Sequence, residues 1–189
     1  MAASESINRG AQKFGSIFVT ALTSLGLYKF LSSAMYSLFA KVQKLRIFLL
    51  GDAILEGTWV GHWKHDGKHV YTIETISQKD GETQISGRQI GEDGQTQANW
   101  SSESSVVDLK RKRLIYVYSC DVYRTSHQQN GIGVFSIIKE DESQPPNVLD
   151  GYAVDMIDGK KDPNREHKIN DRIVSTETAL EQARAIFNV

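Results

Sequence analysis

"LEGTWVGHW", residues 55–63, places Trp59 and Trp63 four apart among small residues, directly after a greasy, basic N-terminal segment. A surface loop has no use for two large rings. A strand that opens a closed β structure does, because alternate side chains of a strand point to one face. From residue 54 the pattern takes a two-residue period punctuated by turns. Candidate strands cover 55–65, 68–77, 82–90, 94–102, 104–109, 112–123, 131–139, 148–157 and 166–174. Between them stand Asp66-Gly67, Asp80-Gly81, Asp93-Gly94, Asn130-Gly131, Pro145-Pro146-Asn147 and Asp158-Gly159. Asp-Gly and Asn-Gly suit tight hairpins, since both turn residues tolerate positive φ.

Short strands joined mostly by hairpins predict a mainly β fold, an up-and-down antiparallel β-barrel of about eight strands without exposed edges. A barrel of that size can hold one small ligand. The chain closes with a short C-terminal helix. Ser175 or Thr176 caps it, and Leu180, Ala183, Ile186 and Phe187 form its apolar stripe, which would close or brace the barrel.

The first hairpin sets the faces. A two-residue turn at Asp66-Gly67 pairs His65 with Lys68 and Trp63 with Val70. One face then carries Trp59, Gly61, Trp63, Val70, Thr72, Glu74 and Ile76, and is expected to point inward with Trp59 plugging the floor and Gly61 making room. The other carries Thr58, Val60, His62, Lys64, His69, Tyr71 and Ile73. A slip of one residue would invert every assignment.

The residues before this barrel differ in charge and hydropathy. Residues 1–50 hold six basic residues and one acidic residue, a balance of +5, against 16 basic and 22 acidic residues, or −6, in residues 51–189. Two domains follow: N-terminal membrane-spanning or membrane-interfacial helices over 1–50, and the barrel with its C-terminal helix over 51–189. Phe14 to Tyr28 is free of charge, Lys29 interrupts, and residues 30–40 are uncharged again. A bilayer core needs about 20 apolar residues as helix, which Phe14 to Ala40 supplies if Lys29 snorkels. Leu31, Met35, Leu38, Phe39, Val42, Leu45 and Leu49 recur at spacings of three and four, with Lys41 and Lys44 off the stripe. This is an amphipathic helix with a basic face, suited to an anionic interface. Its alternative is a helix packed on the barrel. Ser16, Thr20 and Ser24 repeat every four residues, a spacing that lets helices approach closely in lipid and marks a place for self-association.

Catalytic signatures are missing from the sequence. There is no GxSxG, no HExxH and no phosphate-binding glycine loop with lysine. The single cysteine, Cys120, leaves no disulfide within the chain and suits a reducing cytosol. His62, His65 and His69 suggest a metal, but the hairpin splits them between faces, and a site needs three or four converging ligands. Glu74, Asp108, Asp121, Asp150 and Asp155 read as a group as outward strand residues. No enzyme, metal or cofactor is expected. Trp59, Trp63, Trp100, Tyr116, Tyr118 and Tyr152, with Arg88 and Arg165, are the candidate ligand-binding set. A nucleotide needs flat surfaces for its bases and arginine for its phosphates, although aromatic residues are most often ordinary core. The basic run Lys110 to Arg113 reads as a solvated hairpin tip rather than a nucleic-acid site, given the acidic remainder of the domain.

A basic amphipathic helix running into "LGDAILEGTWVGHW", with Gly151-Tyr152 in a late strand and "HKINDR" (His167 to Arg172) before the last helix, resembles the two-transmembrane, β-strand-rich (2TM-β) effectors of bacterial cyclic-nucleotide anti-phage defence. These occur in CBASS operons and in the related Panoptes system. The resemblance covers most of the chain, and implies a barrel that senses a cyclic di- or oligonucleotide. It further implies helices that assemble as a homo-oligomer in the bacterial inner membrane and breach it, causing growth arrest or death, with the barrel in the cytoplasm. Ser16, Thr20, Ser24, Lys29, Met35 and Phe39 are then the candidate membrane and assembly residues, and no nucleic-acid polymer is expected as a partner. One departure stands out: two spans are the family's pattern, whereas this sequence offers one plausible span and one amphipathic segment. Two rival readings of the residues are a membrane-anchored interaction module with a filled barrel and an avidin-like or lipocalin-like carrier.

Overall fold

Eight strands follow one another round a closed antiparallel barrel, each paired with its neighbours in sequence and the last with the first. The computed structural model describes residues 23–35, 51–65, 67–79, 81–123, 127–157 and 159–188. The chain divides into two units, Met1–Leu49 and Leu50–Val189.

In the first unit a helix, α1, covers 23–35. It leaves Leu25, Leu27, Tyr28, Phe30, Leu31 and Met35 exposed. This described part is about 20 Å long, against a bilayer hydrocarbon core of ~30 Å. Among the described residues no helix is long and apolar enough to cross a membrane, so the expected span over 14–40 is not supported. Ser24, Lys29 and Met35 lie on α1, while Ser16, Thr20 and Phe39 lie outside the described residues.

In the second unit the strands are β1 (Gly57–His65), β2 (Lys68–Lys79), β3 (Glu82–Gly91), β4 (Thr96–Asp108), β5 (Arg113–Val122), β6 (His127–Ile138), β7 (Val148–Asp155) and β8 (Lys161–Asn170). The first hairpin has the expected register, with His65 opposite Lys68, Trp63 opposite Val70 and Gly57 opposite Ile76. Three later elements differ from the sequence reading. The stretches 94–102 and 104–109 form one strand, β4, interrupted by a register shift between Ser102 and Ser104. Asn130-Gly131 is no turn: β6 begins at His127, and Gly131 sits opposite Tyr118. β8 begins at Lys161 and contains Pro163, opposite Tyr152. Proline is tolerated there because β8 pairs with β1 only over Glu166–Asn170, leaving the earlier edge without a ladder to break.

The opening motif explains itself at the floor of the barrel. Gly57 has φ +139°, and a side chain on it would run into the Asn170 carbonyl. The Thr58 hydroxyl donates to the Arg172 carbonyl at 2.8 Å and accepts from the Val174 amide at 3.1 Å, tying β1 to the segment after β8. Trp59 Nε1 donates to the Leu55 carbonyl at 2.8 Å. The Gln78 side chain accepts from the Leu55 and Glu56 amides and donates to the Ala53 carbonyl, fixing the path of the incoming chain.

Both faces of β1 and β2 are covered. Inside, Trp59 packs with Leu55, Ile76, Ile85, Leu114, Phe135 and Leu149 to fill the floor. Outside, Val60, Tyr71, Ile73 and Ile90 meet Ala179 and Ala183 of the last helix, α2 (Thr176–Phe187). Ser175 caps α2, its hydroxyl accepting from the Thr178 amide at 3.3 Å. Thus α2 braces the wall formed by β1, β2 and β8 rather than closing an end. Leu180 and Phe187 pack there, whereas Ile186 stays exposed.

Candidate functional site

Halfway along the lumen, above the apolar floor, the barrel turns polar. Glu74 of β2 and Glu166 of β8 are 2% and 0% exposed. Tyr116 OH and Trp100 Nε1 both donate to Glu74 Oε1, at 2.8 and 2.9 Å. Asn164 Nδ2 donates to Glu166 Oε1 at 2.7 Å, and Thr72 Oγ1 donates to the same oxygen at 3.4 Å. The remaining oxygens, Glu74 Oε2 and Glu166 Oε2, are buried with no other side chain or backbone group bonded to them, and the two carboxyls hydrogen-bond to each other when one is protonated.

Burial disfavours a charged carboxylate and pushes both acids up. For Glu166 the charge of Glu74 adds to burial and lifts it well above the usual carboxylate range. For Glu74 burial is opposed by the hydrogen bonds from Tyr116, Trp100 and Glu166. Glu166 is therefore the member that keeps a proton, beside a Glu74 held by two donors. Tyr116 is pushed far up by burial and then by the charge of Glu74, so it remains a donor. Tyr118, nearer the mouth, is pushed up to about 12, mainly by burial.

Local sequence builds this cluster by placing glycine beneath rings. Gly87 stands opposite both Glu74 and Trp100, and the indole of Trp100 occupies the space a side chain at 87 would need. Tyr118 covers Gly131, and Tyr116 covers Gly133 in the same way. Gly87→Ala therefore has to displace the indole and its bond to Glu74. The expected cost is about 1–3 kcal/mol, the usual range for overpacking, read as a lowered urea midpoint with an unchanged slope.

Of the residues singled out from the sequence, Trp59, Trp100 and Tyr116 meet in the lumen with Tyr118 beside them. Trp63 shares the inward register, half-buried toward the mouth. The other three lie on the outer wall. Arg88 Nη1 donates to Thr176 Oγ1 of α2 at 3.1 Å. Arg165 faces Glu140 at 3.9 Å. Tyr152 lies under Lys161 Nζ, 4.7 Å from the ring centroid. The reason is parity: Arg88 follows inward Gly87, Arg165 precedes inward Glu166, and one residue exchanges the faces of a strand. The pair of arginines thus does not enter the lumen.

Glu74, grouped with outward carboxylates when read by composition, is inward, as the first hairpin's register alone requires. Thr72 likewise lies on that face, whereas Asn164 falls before the strand expected at 166–174, because β8 starts earlier than its hydropathy suggests, and Glu166 stood inside that strand with no face assigned to it. With the true boundaries, Asn164, Glu166 and Lys168 alternate as one polar inward face. His62 and His69 share the outer face, stacked and 2.8 Å apart between ring nitrogens, with Phe187 of α2 against His62. Burial, then the nearby His69 and Lys64, hold His62 below the usual imidazole range. A recess of about 480 Å³ opens in the wall, where β3 and β4 diverge beyond Ser86 and Ser101. Thr83, Gln84, Ser102 and Ser105 line it, with Ser102 Oγ accepting from the Ile85 amide at 2.9 Å.

No known protein family, curated protein or solved structure matches the chain.

Proposed function

We propose that this chain is an effector of bacterial cyclic-nucleotide anti-phage defence. Its barrel binds a cyclic di- or oligonucleotide, and its N-terminal segment assembles in the inner membrane and disrupts it, with the barrel on the cytoplasmic side. The observation that carries the ligand half is the polar centre of the lumen. Buried ionisable groups seldom stabilise a fold better than a well-packed apolar filling would. Two buried carboxyls that share a hydrogen bond, beside Trp100 and Tyr116, therefore mark a polar place for a ligand that brings hydrogen-bond donors of its own. A nucleobase has an N–H edge for the carboxyls and a flat face for the rings. Its phosphates stay at the mouth, in water, away from the acidic centre. The membrane half rests on the +5 balance of residues 1–50, the charge-poor run from Phe14, and the exposed apolar side chains of α1. Differential affinity of the nucleotide for two assembly states would drive the switch.

A second reading, a barrel that is solid and serves as an interaction module, is favoured by the rings that fill the space above Gly87, Gly131 and Gly133. Thermal denaturation against a panel of cyclic di- and trinucleotides separates the two. The sensor reading expects a saturable rise in melting temperature with one member of the panel, lost in Glu74→Gln. No rise with any member leaves the module reading in place and removes the sensor.

A further inference from the structure

We infer that the tip of the β4–β5 hairpin is a second membrane contact, taking the headgroups of an anionic bilayer. The inference rests on the membrane half of the function proposed above. Lys110, Arg111, Lys112 and Arg113 are all exposed there. Asp108 pairs with one of them, Arg111, at 3.4 Å and accepts from the Arg111 amide at 3.0 Å, which holds the turn in shape. Three cations are left facing solvent.

Apolar side chains flank them. Val106 and Ile115 are cross-strand partners on the outer face, 60% and 36% exposed, and Leu109 at the tip is 49% exposed. Cations alone would suit any polyanion. A tip combining cations with aliphatic side chains, and carrying no aromatic ring for a base to stack on, suits lipid headgroups over nucleic acid.

Position agrees. In an up-and-down barrel the start of β1 and the end of β4 lie at one end, so the hairpin tip shares its end with Gly51–Ala53, where the chain arrives from residues 1–49. The β6–β7 loop at that end carries Glu140, Asp141 and Glu142, which confines the attraction to the hairpin.

The test places an environment-sensitive fluorophore at the tip of the full-length chain, through Leu109→Cys in a Cys120→Ser background. Mixed phosphatidylglycerol–phosphatidylcholine vesicles should shift the emission to the blue, and pure phosphatidylcholine should not. In unlabelled protein, changing Lys110, Arg111, Lys112 and Arg113 to glutamine should weaken partitioning into the anionic vesicles by about fivefold per cation. Far-UV circular dichroism checks that each variant is folded. Emission that stays aqueous while the protein pellets with anionic vesicles overturns the hairpin contact and leaves the membrane half standing. Neither pelleting nor a shift overturns both. A shift produced by single-stranded DNA without vesicles overturns lipid as the occupant.

Discussion

Trp59→Ala lowers the stability of the barrel by about 3–5 kcal/mol, the usual cost of removing a buried aromatic residue. Trp59 is 0% exposed and sits in the cluster that fills the floor. Its indole also ties back to Leu55 through the Nε1 hydrogen bond, so truncation frees the incoming chain as well as opening a cavity. Urea denaturation followed by circular dichroism measures the effect without relying on tryptophan emission. Arg88→Ala and Arg165→Ala, both at exposed outer-wall positions, should each shift stability by only about 0.5 kcal/mol or less. A Trp59→Ala variant no less stable than the arginine variants would mean that the floor is not packed as described.

The two acids of the lumen should respond with opposite signs. Glu74→Leu removes the acceptor of Tyr116 OH and Trp100 Nε1 and strands two buried donors, so a loss of about 3 kcal/mol is expected. Glu166→Gln keeps the shape, removes a carboxyl whose ionisation the lumen resists, and should gain on the order of 1 kcal/mol at pH 8. The pH dependence fixes the sign. Both acids have folded-state values raised above the unfolded ones. Stability linked to them is complete below the ordinary carboxylate pKa of about 4.3 and is lost as pH rises through the folded values. The difference in stability between wild type and Glu166→Gln should therefore be small at pH 4 and widen toward pH 8. Asp141 and Glu177 are held low by hydrogen bonds at the surface and act in the opposite direction, but they are common to both proteins and cancel. A gap that narrows as pH rises would show that Glu166 is ionised in the folded barrel.

The barrel, the inward place of Trp59, the register of the first hairpin and the C-terminal helix are legible in the order of the residues. Each depends on local rules: alternation along a strand, an Asp-Gly turn that permits one pairing, and a serine cap before an apolar stripe. The same hairpin register already placed Glu74 inside. What stands beside it follows from how the barrel closes. Glu166 comes from the last strand, and its side of the wall depends on the register in which β1 closes against β8. Register shifts at Ser102/Ser104, Gln89/Ile90 and Thr58/Trp59 each break the count of two that links one strand's faces to the next. Arg88 and Arg165, strong candidates by residue type, face solvent because each neighbours an inward residue, Gly87 and Glu166, on its own strand. The acid pair at the centre is a product of closure, which brings together residues whose separation in sequence no local periodicity records.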